Sequence, residues 1–112
     1  MYSKELLKGT LTAIILNLLA ENGRMYGYEI FQMVKERSDG KILLKDGSLY
    51  PALQKMLKDE LVNYEEEFIG KRVRKYYALT SKGKVEKVAY LQEIKDFIST
   101  LEKVINPQFR TT

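Results

Sequence analysis

The sequence predicts a mainly α fold with a small β-hairpin: a winged helix-turn-helix followed by a C-terminal dimerisation helix. Three observations lead there. A helix opens at Gly47-Ser48-Leu49-Tyr50-Pro51-Ala52-Leu53, a basic hairpin runs from Leu61 and closes on Lys75-Tyr76-Tyr77-Ala78-Leu79-Thr80, and a long amphipathic segment follows. Such a fold sets one helix in the major groove of DNA and the hairpin tip over the neighbouring backbone or minor groove. The bounds that follow are 1–79 for the winged helix-turn-helix, 80–106 for the dimerisation helix and 107–112 for a tail.

The first helix is expected over about 4–21. Leu7, Leu11, Ile14 and Leu18 form one seam, which Leu6, Ile15, Leu16 and Leu19 widen. So broad an apolar arc exceeds what one small domain covers and implies a second burial surface. Asn22-Gly23 ends it, with Gly supplying a positive φ. A second helix over about 26–37 turns Ile30, Phe31, Met33 and Val34 inward, and Ser38-Asp39-Gly40 stops it. Ile42-Leu43-Leu44 reads as a short third strand beside the wing.

Ser48 is a suitable N-cap for the third helix, which puts Pro51 in the first turn, where its missing N–H leaves no bond unmade. Leu49, Leu53, Met56 and Leu57 make the core stripe, while Tyr50, Gln54, Lys55 and Lys58 face out. In the hairpin, Ile69-Gly70-Lys71-Arg72 suits a two-residue type II′ loop. Pairing then sets Phe68 opposite Val73, Glu67 opposite Arg74, Glu66 opposite Lys75, Tyr64 opposite Tyr77 and Val62 opposite Leu79. Apolar meets apolar and acid meets base, as cross-strand neighbours prefer. Tyr64, Tyr77 and Phe68 are expected to fill core space beneath the wing. Thr80 caps the last helix, where Leu91, Ile94, Ile98, Leu101 and Ile105 step by three and four. Two heptads are too few for an independent coiled coil. With the over-apolar first helix, whose Leu7 and Leu11 join the contact, they predict a homodimer. Pro107 ends the helical region.

At 112 residues the chain is one domain, large enough to bury roughly two-thirds of its unfolded surface. The net charge of +4 is less informative than its placement. Residues 59–67 carry five acids and no base, whereas 70–87 carry Lys71, Arg72, Arg74, Lys75, Lys82, Lys84 and Lys87 against Glu86 alone. There is no cysteine and no histidine, which removes disulfides, thiolate nucleophiles and the usual zinc ligands and fits a cytoplasmic protein. The apolar run Leu11–Ala20 is too short to span a bilayer, and its flanking Glu5 and Glu21 do not suit a signal peptide. Adjacent glutamates at 65–67 point to alternate faces of a strand and cannot converge on a metal. No phosphate loop, nucleophile–base pair or metal spacing occurs, so neither enzymatic activity nor a cofactor is expected.

A charged hairpin tip is commonly a solvated turn. Here Arg74 and Lys75 have facing glutamates, whereas Lys71 and Arg72 have none. Unpaired cations at a protruding tip are free to meet phosphate or a narrow minor groove. Tyr90 and Phe97 on the last helix either line a dimer cavity or simply pack.

Tyr26-Gly27-Tyr28-Glu29-Ile30, Ser48-Leu49-Tyr50-Pro51-Ala52-Leu53 and Lys75-Tyr76-Tyr77-Ala78-Leu79-Thr80-Ser81-Lys82-Gly83 together resemble the signature of the PadR family of bacterial transcription regulators, in order and at matching spacing. The single C-terminal helix resembles the shorter members, in which it carries dimerisation. The resemblance implies a homodimeric regulator, a repressor, that binds an inverted-repeat operator in double-stranded DNA. Ser48, Tyr50, Pro51, Gln54 and Lys55 would form or position the recognition helix, Tyr26 would touch the backbone, and Lys71 and Arg72 would make the wing contact. Family members also sense small aromatic compounds, some at the dimer interface, which would assign Tyr90 and Phe97 to an effector pocket. Asp46, just before Ser48, places an acid near the phosphate. The competing reading is a winged-helix module that binds protein rather than DNA.

Overall fold

The computed structural model describes residues 2–106 and 108; the expected end at Pro107 and the rest of the tail fall outside them. Five helices and three strands follow in the order α1 (Lys4–Lys8), α2 (Leu11–Asn22), β1 (Arg24–Tyr26), α3 (Gly27–Arg37), α4 (Asp46–Lys58), β2 (Val62–Ile69), β3 (Arg72–Leu79) and α5 (Ser81–Ile105). The expected first helix is divided at Gly9-Thr10. Both the Thr10 amide and its hydroxyl donate to the Leu7 carbonyl at 3.0 Å, which tightens the turn and restarts the helix.

The strands form one antiparallel sheet in the order β1-β3-β2. Every predicted hairpin pair is present, from Val62 opposite Leu79 to Phe68 opposite Val73. Gly70 has φ +63° while Lys71 is not in the positive-φ region, so the loop is of the II′ rather than the I′ kind. The third strand, however, is Arg24–Tyr26 on the far edge of β3, not Ile42-Leu43-Leu44. That segment is irregular because the Ser38 hydroxyl accepts the Ile42 amide at 2.9 Å, which folds it against the end of α3. Leu44 then drops into the core at 2 % exposure.

The helix α4 begins three residues before the expected position. Lys45 is the N-cap, and its carbonyl accepts the amides of Ser48 and Leu49 at 2.9 Å. Ser48 is therefore inside the first turn and caps nothing, and Pro51 lies in the second turn. Its ring removes the bond that would end on the Gly47 carbonyl, which is exposed to water. Asp46 occupies the first turn, where a carboxylate is favoured by the helix dipole.

The core joins Leu16 and Leu19 of α2, Ile30 of α3, Leu53 and Met56 of α4, and Met25, Leu61, Val62 and Tyr77 around the sheet. Only the base of the wing reaches it. Phe68 is 77 % exposed and Tyr64 40 %, contrary to expectation, because the eight-residue strands extend past the helix layer and leave nothing to cover their far ends. Glu21 and Arg37 pair at 2.6 Å between α2 and α3, and that hydrogen bond holds the Glu21 carboxyl below its ordinary value.

The joint between wing and α5 explains why Thr80 and Gly83 stand where they do. Thr80 accepts the Gly83 amide at 2.9 Å, donates its hydroxyl to the Glu60 carbonyl at 2.6 Å and its amide to Leu61 at 3.1 Å. The same Leu61 carbonyl lies where a Cβ of Gly83 would be. Because a backbone atom opposes the new methyl, Gly83→Ala must displace α5. We expect a loss on the order of 3 kcal/mol, as for severe overpacking, read as a fall in the urea midpoint at unchanged m-value.

Candidate nucleic-acid interface

The strand β1 ends at Tyr26, opposite Tyr76. Beyond that point the edge of β3 from Arg72 to Lys75 is unpaired and overhangs the start of α3 and the outer side of α4. Between them runs a groove of about 730 Å³ lined by Tyr26, Gly27, Tyr28, Tyr50, Gln54, Glu66, Tyr77 and residues 72–75 of β3. Four predicted contact residues meet here: Tyr26, Tyr50, Gln54 and Arg72. The other three on α4, Ser48, Pro51 and Lys55, lie on the opposite border of its exposed arc. There they join Leu7, Leu11 and Lys4 around a second cavity of about 410 Å³ beside α1. Lys71 stands alone at the tip.

Two of the sequence motifs interlock at the groove floor. A Cβ on Gly27 would come within 3.1 Å of the Tyr50 hydroxyl, so the absence of a side chain there lets the Tyr50 ring rest on the first turn of α3. Glu29 accepts the Tyr26 amide at 3.1 Å, capping α3 and holding Tyr26 at its mouth. Burial pushes the Tyr77 phenol upward, with Tyr50 and Tyr64 adding to it, so this phenol is neutral at physiological pH.

Charge on the outer face is arranged differently from the cross-strand expectation. Glu67 lies opposite Arg74 in register, yet its partner is Arg24 of β1 at 2.6 Å, with Glu65 a further 3.8 Å contact of Arg24. To reach across β3, Arg24 lies over the Tyr76 ring at 4.3 Å. Arg74 instead covers the Tyr26 ring at 4.4 Å, and Lys75 covers Tyr64 at 4.8 Å. The Tyr26 and Tyr76 rings meet edge to face at 5.3 Å. Neighbouring Tyr76, outweighing desolvation, holds Arg74 above its ordinary value, so it is a permanent cation. Neither Lys71 nor Arg72 makes an ion pair among the described residues, whereas Lys55 pairs with Asp59 at 3.3 Å.

Sequence reasoning did not find Arg24, Tyr28 or Arg74 as site residues. A three-residue strand is too short to show alternation, so nothing revealed that Arg24 and Tyr26 share a face with Tyr76. Of the predicted dimer residues, Leu11 is taken up by the chain's own core. Leu7, Leu91 and Ile94 are half-buried, and Ile98, Leu101 and Ile105 are exposed. Tyr90 packs against the core of its own chain, while Phe97 is exposed.

Residues 15–88 match the transcriptional regulator PadR-like family. Among solved structures, a transcriptional regulator from Clostridium thermocellum is 29% identical, with a TM-score of 0.76 over 96% of this chain and 100% of that one. A PadR-like transcriptional regulator from Bacillus cereus is 26% identical, with a TM-score of 0.75 over 92% and 98%. Bacillus subtilis PadR in complex with operator DNA is 30% identical, with a TM-score of 0.65 over 72% of this chain and 46% of that one.

The ring of Tyr26, not its hydroxyl, holds the aromatic–cation face together. Tyr26→Ala should therefore cost about 1–2.5 kcal/mol from the lost Arg74 and Tyr76 contacts, whereas Tyr26→Phe should stay within about 0.5 kcal/mol of the parent. Chemical denaturation of the two variants checks this.

Proposed function

This chain belongs to the transcriptional regulator PadR-like family, a family of regulators and not of enzymes, and we propose that it represses transcription as a homodimer bound to an inverted-repeat operator. The observation that carries this reading is the groove between α4 and the open edge of β3. It gathers Tyr26, Tyr50, Gln54 and Arg72 from three elements, with Lys71 beyond them at the tip. A polar helix face flanked by unpaired cations matches the division between base reading and phosphate positioning. Gln54 has the donor–acceptor fork that reads adenine, and Tyr26, Lys71 and Arg72 serve the backbone. Ser48, Pro51 and Lys55 support the far side of the recognition helix. The repressor assignment follows the resemblance to the family, in which a dimer bound over a promoter would exclude polymerase.

The homodimer is supported by the last three turns of α5, where Phe97, Ile98, Leu101, Val104 and Ile105 are between 41 % and 73 % exposed, and by exposed Leu6 on α1. A contiguous apolar stripe of this kind marks an association surface. The exposure of Phe97 supports its assignment to a small-aromatic effector site in the paired form, whereas Tyr90 packs against the core of its own chain. No helix among the described residues is long and apolar enough to cross a membrane, in keeping with a DNA-bound protein of the cytoplasm. One observation favours the protein-binding alternative: Phe68, Ile69 and Val73 form an exposed apolar wing tip.

Salt dependence separates the two. Lys71→Ala and Arg72→Ala should each weaken binding to all duplexes alike and lower the salt slope by about one unit, with stability changed by less than about 0.5 kcal/mol. Unchanged affinity and slope in both would favour the protein-binding module. Ile98→Glu or Leu101→Glu should bury an unpaired carboxylate in the stripe and cost several kcal/mol of association. Sedimentation velocity should then show a dimer for the parent and a monomer for the variants. Footprinting should find half-sites about one or two helical turns apart.

A further inference from the structure

We propose that Arg74 is itself a DNA-backbone contact, and that Arg24 is the positioning residue that keeps it available by occupying the acid facing it. This rests on the DNA-binding reading above. The hairpin register places Glu67 directly opposite Arg74, a separation of about 5 Å between Cβ atoms at which opposite charges normally pair. They do not pair here. Glu67 is engaged by Arg24 at 2.6 Å, and Arg24 is further held by Glu65 at 3.8 Å and by the Tyr76 ring at 4.3 Å. Arg24 gains two acids and a ring by lying there, whereas Arg74 would gain Glu67 alone.

Arg74 is consequently a cation without an ion-pair partner among the described residues. Its guanidinium carbon lies over the Tyr26 ring, 4.4 Å from the centroid, and the residue lines the groove with Tyr50, Gln54 and Arg72. The acid beside it on α3, Glu29, is occupied by the Tyr26 amide. Glu66, which also lines the groove, lies opposite Lys75 on the other face of the hairpin. A guanidinium carries its N–H donors in a planar fork that can grip a phosphate in two places. The arrangement makes Arg24, a residue of β1 assigned no contact with DNA, a determinant of DNA affinity acting through Glu67.

The test is binding of a fluorescently labelled random-sequence duplex of about three helical turns, measured by anisotropy between 50 and 200 mM salt, with thermal unfolding of each variant as a folding control. Arg74→Ala should lower the slope of log K against log salt by about 0.9, so that its affinity falls about three- to fourfold less than the parent's over that range. Arg74→Lys should recover the slope, since charge is what releases counterions. Arg24→Ala should lower the slope as Arg74→Ala does, because Glu67 is then free to neutralise Arg74, and Arg24→Ala/Glu67→Gln should restore it. A merely structural role for Arg24 would not be rescued by removing its partner. Parent binding with an Arg74→Ala slope equal to the parent's would overturn the contact. A double variant no better than Arg24→Ala would overturn the positioning role. Absence of any duplex binding by the parent would instead overturn the DNA reading on which both rest.

Discussion

The Leu61 carbonyl, with no room for a methyl group beside it, sets the geometry of this molecule. The helix α5 crosses that carbonyl at Gly83, and Thr80 ties the same corner to Glu60 and Leu61 by its hydroxyl and amide. Both the wing and the long helix leave this point in fixed directions. A larger residue at 83 would swing α5 away from α2, and the apolar stripe at its far end would move furthest, because error at the base of a helix spanning about 1.5 Å per residue grows along its length. Glu60 adopts φ +60° at the same corner, a conformation unusual for a residue with a side chain, and the Thr80 hydrogen bond secures it.

Above that joint, β3 organises the functional face. It is the central strand, so a side chain on β1 can reach β2 only by crossing it, and Arg24 does so over Tyr76. The result is an alternation of guanidinium and phenol rings that stiffens a two-stranded ribbon whose outer half has no hydrophobic cover. Cation–π contacts suit this place. They contribute about 0.5–1 kcal/mol even at an exposed surface where apolar packing is absent, as much as an exposed ion pair. The same lattice decides which cations are neutralised and which are left for a partner.

Division of labour along the chain follows. The wing base, α2, α3 and the inner face of α4 share one core, while the groove and the far half of α5 are surfaces with unmet chemistry, one polar and cationic, the other apolar. In the proposed regulator these correspond to DNA and to a second copy of the chain.

Much of this was legible in the sequence by itself. Local rules determined it: the hairpin register follows from period-two alternation and the Gly70 loop, the α5 start from the Thr80 cap, the stop of α2 from Gly23 and that of α3 from Ser38-Asp39-Gly40, and the core stripe of α4 from helical spacing. The three motifs identified the family, but the reason for two of their glycines, Gly27 under Tyr50 and Gly83 against Leu61, appears only in the fold. What only the tertiary structure decided are matters of competition between distant groups. Ile42-Leu43-Leu44 has strand-like residues, but β1 holds the edge of β3 and the core takes Leu44. Ser48 is a good cap, but the Lys45 carbonyl starts the helix first. Phe68 is apolar, but the wing outruns the helix layer. Glu67 faces Arg74, yet Arg24, 43 residues away along the chain, takes it. A sequence displays neighbours and periodicities; which of several eligible partners a group finally meets depends on which elements the fold brings alongside, and that is settled in three dimensions.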